Sequence, residues 1–369
     1  MTIDPTHDKN GALSPVYSDA SSATGGQGWG LLTSPNLFDG SDNFLSPPDR
    51  WTVTGGAYYL ETFGNVLAAP EFAGGGSSAS HGGGGGGGGN PPPPTTLSNN
   101  YGLAFNINWD SSVGSAPTGF VGAFEQAIGY FLGNFGSPQP ITIGLSVGWG
   151  EAGGQRLPVG ALGESLTNIE KVDYSLLQTK MSAYLPSTGD PITVANHSYW
   201  VASAEEKALG IPTTSTLDGA VGFSSRVTWD FTGGSTTPKG QYDFVSVSEH
   251  EISETMGRIA LLGTSVSDNG VIYPEAFSPL DLFRYSQPGV RSLVGGQTAY
   301  FSPDGSTSSP TTYFNSTAGG DWGDWQSSGV NSAGNDAYDA FASTGTKYST
   351  SAVDTTVMNV LGYGPLPIA

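Results

Sequence analysis

The chain has 369 residues, a net charge of −20, 56 glycines, 25 prolines and no cysteine. These figures exclude disulfides, a thiolate metal site and a cysteine nucleophile, and they argue against binding a polyanion such as a nucleic acid or an anionic membrane. No apolar run approaches the roughly 18 residues that span a bilayer, so no integral membrane segment is expected.

Residues 1–73 carry Trp29, Leu31, Leu32, Phe38, Phe44, Trp51, Tyr58, Tyr59 and Phe63 without a clear period. That is too aromatic for a plain tail. The readings left open are a small accessory unit packed on the main domain and a propeptide. Residues 1–10 are polar and show no Sec-type apolar stretch, although the acidic, Ser/Thr/Gly-rich composition suits a secreted, extracellular protein. Residues 74–97 read as a linker. Positions 74–94 hold eleven glycines and four prolines, and His81 among them reads as solvated. The main domain is then expected over 98–369.

Strand alternation is predicted at 104–109 and 141–147, and one strand at 221–231. Helical spacing is predicted at 118–135, near 174–184, at 203–209 with Gly210 as its stop, at 243–262, and near 354–361. The stretch 263–350 is rich in Gly, Ser, Asp and Pro and reads as a long loop-rich C-terminal subdomain. This order implies α+β or α/β with one sheet.

The segment 243–262 carries the chemistry. At about 100° per residue, Val245, Ile252, Met256 and Ile259 form one stripe, and His250, Glu251, Glu254 and Arg258 form the opposite one. His250 and Glu254 are one turn apart, the spacing of two metal ligands. Glu251 between them stands where a general base reaches an activated water. The plainer reading is a wet helix face with an i, i+4 Glu254–Arg258 ion pair. Asp321, Asp324, Asp336 and Asp339 are read as solvated turn carboxylates, with Ca2+ binding as the alternative.

The chain resembles a group of bacterial secreted zincin-type metalloproteases with an HEISE helix in place of HExxH. The resemblance rests on FNINWDSSVGSAPTGF (105–120), ALGESLT (161–167), WVASAEEKALG (200–210), DGAVGFSS (218–225), EHEISETMGR (249–258), SPLDLFRYSQPGVR (278–291), AYFSPDG (299–305), GGDWGDW (319–325) and DTTVMNVLGY (354–363). It implies a metzincin-like domain: a mixed twisted sheet, a backing helix and an active-site helix. It also implies a Zn2+-dependent peptidase acting on a protein or peptide substrate. Against HExxHxxGxxH, His250, Glu251 and Gly257 fit, Glu254 replaces the second His, and Ala260 stands in the third ligand place. No Met-turn is evident. The third ligand must come from elsewhere. Asp281 is the candidate, with turn formation as its plainer role, and Tyr285 is a candidate transition-state donor. His197 is a second candidate ligand, otherwise read as a surface or strand-end residue. The strand at 221–231 is expected to pair with an extended peptide. Two functions from different classes follow: a metal-dependent endopeptidase, or a catalytically inert zincin-like binding or surface module.

Overall fold

The structure is a computed structural model. It describes residues 89–185, 189–269, 271–306 and 311–366, and the backbone of 31–33 and 57–64. Trp29, Phe38, Phe44, Trp51, His81 and the glycine-rich stretch up to position 88 lie outside the described residues.

The strands of the main sheet are β1 (Leu31–Thr33), β2 (Ala57–Gly64), β3 (Thr95–Ser98), β4 (Leu103–Trp109), β5 (Ile141–Trp149), β6 (Ala161–Val172), β7 (Ser198–Ala202), β8 (Gly219–Phe223), β9 (Thr264–Asp268) and β10 (Val271–Phe277). The helices are α1 (Phe120–Asn134), α2 (Tyr174–Lys180), α3 (Ser203–Leu209), α4 (Phe244–Thr255) and α5 (Ala352–Val360). All ten strands belong to one mixed sheet, whose main path runs β9-β10-β7-β6-β8-β5-β4-β3. The fold is α+β, with helices backing a twisted sheet and a loop-rich C-terminal region.

The alternation at 103–109 and 141–149 produces two parallel neighbours, β4 and β5. The crossover between them is α1, the connection expected of a parallel pair. The apolar stripe of α1 (Phe120, Phe124, Ile128 and Phe131) is fully buried with Phe105 and Ile107 of β4. Burying each such ring stabilises by roughly 1.5–3 kcal/mol. Phe120 is also the centre of an aromatic cluster with Trp149, Phe223 and Phe244, at ring separations of 5.2, 5.9 and 5.1 Å. Phe244 is the first residue of α4, so this cluster pins the start of the site helix.

Two predicted elements differ from the structure, and one strand was not predicted. The strand at 221–231 stops at Phe223, and β8 is paired on both sides, with β5 and with β6. It therefore has no free edge for a peptide. The helix predicted over 243–262 ends at Thr255, because Gly257 takes φ +112° and a Cβ there would lie 2.7 Å from Glu205 Oε2. The strand β6 has no clean alternation, yet it is the longest in the sheet. Its polar residues Glu164, Ser165, Thr167 and Asn168 are buried among partners rather than turned to water.

The sheet also takes in the last residues of the expected linker, Thr95–Leu97, and a strand from the segment before it. β3 includes Thr95 and pairs antiparallel with β4. β2, from the N-terminal segment, pairs antiparallel with β6 from Ala161 to Ile169.

Candidate metal centre

Every residue of α4 except Glu249 is buried. The stripe that reads as polar on a helical wheel therefore faces protein, not solvent. His250, Glu251, Glu254, Arg258 and Asp324 are all 0 % exposed. Asp324 arrives from the C-terminal loops, where Phe314 bridges Trp325, Trp325 bridges Asp339, and Asn315 N donates to Asp324 O at 2.7 Å.

His250, Glu254 and Asp324 each offer one ligand atom, and these atoms lie within 4.8 Å of one another. His250 Nε2 stands 3.0 Å from Glu254 Oε1 and 3.3 Å from Asp324 Oδ1. His250 Nδ1 is 2.9 Å from the Ala337 carbonyl oxygen, so Nδ1 carries a proton and Nε2 is turned to the two carboxylates. This cluster is able to coordinate a metal ion. In a tetrahedral zinc site, ligand atoms about 2.0–2.2 Å from the ion lie roughly 3.3–3.6 Å apart, close to the separations found here.

Arg258 lies beyond the end of α4 and folds back onto it. Its Nε donates to Ser253 Oγ at 2.7 Å, and its terminal nitrogens donate to Asp324 Oδ1 at 2.6 Å and Glu254 Oε1 at 3.2 Å. These are the same two carboxylate oxygens that face His250. The guanidinium also stacks on the Tyr338 ring at 4.4 Å. Burial alone would lower the Arg258 pKa, but Asp324 and Glu254 outweigh it and hold the group charged. His250 follows the same balance. Burial lowers its pKa, Asp324 raises it, Arg258 lowers it and Glu254 raises it, with a net shift up to about 9. Asp324 is pushed up by burial, but His250 and Arg258 prevail and leave it lowered.

Glu251 sits beside this set. Neither of its carboxyl oxygens has a donor from the described residues within hydrogen-bonding geometry. Burial, then the neighbouring Glu254, pushes its pKa well above the carboxylate range. It lies against Gly163 of β6, where a Cβ would overlap its carboxyl. The next inward-facing residue of β6, Ser165, donates to Glu254 Oε2 at 2.7 Å. Thr167 Oγ1 then donates to the Glu254 backbone carbonyl at 3.2 Å. The strand that sequence reading passed over therefore forms the wall of the site.

The other predicted residues lie elsewhere. Asp281 is buried, and its Oδ2 accepts from the amides of Leu261, Leu262 and Ser278 at 3.1, 3.0 and 2.8 Å. It ties the chain leaving α4 to the next turn, where Leu262 takes φ +46°. Burial raises its pKa to about 6 against the lowering by those amides. Tyr285 is buried against Gly305, with Arg291 5.2 Å above its ring. The tyrosine brought to His250 is Tyr338, edge-on at 6.4 Å. His197 has both ring nitrogens engaged, with the Val194 carbonyl at 2.6 Å and Asp190 at 2.9 Å. Of the four loop aspartates, Asp324 joins the cluster. Asp336 accepts from Tyr338 N at 2.9 Å and Asp339 from Asp336 N at 3.2 Å, so both hold turns.

Asp324 was weighed only for a loop Ca2+ site; its place beside His250 and Glu254, and Tyr338 next to His250 and Arg258, were not foreseen. The only signal for Asp324 in the sequence is its place in GGDWGDW, where two aspartates stand three apart with nothing to separate them. Among the described residues, no helix is long and apolar enough to cross a membrane. No protein-family model, curated protein or solved structure matches this chain.

Proposed function

We propose that the chain is a metal-dependent endopeptidase of zincin type, with His250, Glu254 and Asp324 as ligands and Glu251 as the proton-transfer group. One observation carries this reading: a His and a Glu one helical turn apart meet an Asp from a loop some 70 positions away, with the buried Glu251 carboxyl beside them. The HEISE resemblance and its order along the chain support it.

The donor set fits a divalent cation. Two carboxylates and a neutral imidazole supply charge and three ligand atoms, and the Ala337 carbonyl fixes the imidazole tautomer. Zn2+ is the expected ion, although two carboxylates also suit harder cations. When bound, the ion would supply Lewis-acid polarisation and acidify a water. The chain does the rest. Ser165 holds the Glu254 carboxylate in place. A bound cation would oppose the upward shift that burial and Glu254 impose on Glu251; ionised there, Glu251 would accept a proton from water and pass it to the leaving amine. The missing side chain at Gly163 leaves that carboxyl the space it occupies.

A second reading has its own observation. Arg258 bridges Glu254 and Asp324 at the oxygens that face His250. With His250 protonated, the four groups balance their charge without a metal. This arrangement suits an inert zincin-like binding module.

Metal analysis of the purified chain, followed by chelation, decides between them. About one equivalent of a divalent metal, with peptide hydrolysis lost on chelation and restored on reloading, supports the peptidase. A metal-free chain that takes up none from buffered Zn2+ overturns it.

A further inference from the structure

The C-terminal loops enclose a polar cavity of about 180 Å3. That is far above the roughly 10–15 Å3 that admits one water. His250, Glu251, Glu254 and Asp324 do not line it. Asp339, Ser328, Phe341, Ser343, Thr346 and Tyr348 do. Asp339 brings the only carboxylate to this lining, and the residue is 1 % exposed. Its two oxygens differ. Oδ2 accepts from Asp336 N at 3.2 Å. Oδ1 is buried and accepts from no donor among the described residues. Among those residues no Lys or Arg forms an ion pair with it, and Lys347 is taken by Asp243 at 2.8 Å.

The carboxylate is held in place from its other side. The turn 336–339 gives the Ala337 carbonyl to His250 Nδ1 at 2.9 Å, and it stacks the Tyr338 ring on Arg258 at 4.4 Å. The cavity wall is fixed as well. Tyr348 Oη accepts from Ser343 N at 2.8 Å, and Phe341 N donates to Ser327 Oγ at 2.9 Å. A buried acceptor without a donor therefore stands in a preformed hole, and such a group is costly unless something donates to it.

Chemistry narrows the missing donor. A carboxylate with one oxygen committed is a poor match for the guanidinium fork, which takes both oxygens. An ammonium is a point charge with three donors. It needs one carboxylate oxygen and nearby hydroxyls, which Ser343 and Thr346 bring to the same lining. Calcium takes six to eight oxygens at about 2.3–2.6 Å, a poor match for a wide cavity with a single carboxylate. Phe341 and Tyr348 offer apolar surface to an alkyl stem behind the charge. The net charge of −20 attracts cations to the chain.

We propose that this cavity binds the alkylammonium head of a lysine side chain, with Asp339 Oδ1 as its counter-charge. Burial, then Asp336, pushes the Asp339 pKa up to about 9, and an ammonium at Oδ1 would oppose that push. The inference concerns binding alone and stands whether or not the centre at His250 holds a metal.

Isothermal titration calorimetry of the full chain tests it, with N-acetyl-lysine methylamide, its norleucine and arginine counterparts, n-butylamine and CaCl2 as probes. Two variants accompany the unaltered chain. Asp339→Asn removes the charge and keeps an acceptor for Asp336 N. Ser328 is exposed, so Ser328→Trp obstructs the cavity without touching the core. The lysine amide should bind about tenfold more tightly than the norleucine and arginine amides, and each variant should weaken it about tenfold. Ser328→Trp leaves the carboxylate intact, so it carries the test if Asp339→Asn fails to fold. Butylamine binding as tightly as the lysine amide would make a free amine the source and support the same ammonium chemistry. Failure of both amines to bind with a Kd below about 10 mM overturns the inference. So does norleucine binding as tightly as lysine, or lysine binding unchanged in a folded Asp339→Asn. Heat from CaCl2 that is lost in Asp339→Asn, with none from the lysine amide, overturns it in favour of a metal ion.

Discussion

His250, Glu254, Asp324 and Arg258 make a set in which each charge depends on the others. Removing one partner of such a buried group leaves the rest uncompensated, which is more costly than the pair itself is favourable. The predictions for single residues differ in kind. Glu251 has no hydrogen-bonding donor to lose. Glu251→Gln should leave the melting temperature unchanged and lower kcat for a peptide substrate by about 10²–10⁴-fold, the range for a lost general base. Unchanged turnover would remove Glu251 from the mechanism. Asp324→Asn should lower metal content from about one equivalent to under a tenth, by elemental analysis. Asp281→Asn provides the contrast. It should leave metal content intact and cost about 1–3 kcal/mol in urea unfolding, because the carboxylate that gathers three buried amides is replaced by an amide. If Asp281→Asn abolished metal binding instead, the assignment of the third ligand would move to Asp281.

The same residues mark the boundary of what sequence could deliver. His250, Glu251 and Glu254 are legible because helical spacing is local: four positions equal one turn. Asp324 is not, since its position depends on a path of isolated bridges through Phe314, Trp325 and Asp339 that has no periodicity. Asp281 had the right chemistry and a nearby position. Its carboxylate is taken up by backbone amides that no side-chain pattern announces.

At the scale of elements, α4 is held at both ends. Phe244 anchors its first turn in the aromatic cluster, and Gly257 ends it. Gly257→Ala should cost about 1–3 kcal/mol, since it combines a strained φ with an approach to the buried Glu205 carboxyl. Gly160→Ala is the control, with φ +96° and open space around a Cβ. Its midpoint in urea should shift by less than that of Gly257→Ala. Equal shifts would mean that φ alone accounts for the loss and that Glu205 contributes nothing. The amphipathic helices 118–135, 174–184 and 203–209 appear close to where periodicity puts them, and Gly210 takes the left-handed φ of +66° expected of its stop. β6 was illegible for a physical reason. A strand buried on both faces needs no alternation, and its polar side chains are matched to α4 and to neighbouring loops rather than to water.

The whole molecule stores protons. Burial, then Glu170, raises the Glu206 pKa to about 9. Burial, then Asp336, raises that of Asp339 to about 9. Burial raises that of Glu249 to about 8, against the lowering by Lys347. Each folded value is above its unfolded one. The stabilisation is therefore complete below about pH 4 and is lost as pH rises through about 8–9. In the metal-free chain His250 has the same sign, losing its contribution between about 6.5 and 9. Melting temperature measured without metal should fall steadily from about pH 5 to about pH 9. Glu206→Gln should flatten that slope. A melting temperature that rises over this interval would contradict the assigned directions. Self-repulsion from the net charge of −20 acts in the same sense, and the Glu206→Gln comparison separates the two.

The pairing of β2 with β6 also carries a timetable. Gly64 meets Ala161 only after a loop of roughly a hundred residues has closed, and closures of that length come late in folding. The sheet between β4 and β8 can form from nearer neighbours first. During synthesis β2 emerges well before β6, the strand it will join, and β6 in turn emerges before α4 and the loop bearing Asp324. Asp324 is the last member of the centre to be made, so the set of ligand atoms is complete only after both β2 and β6 have left the ribosome.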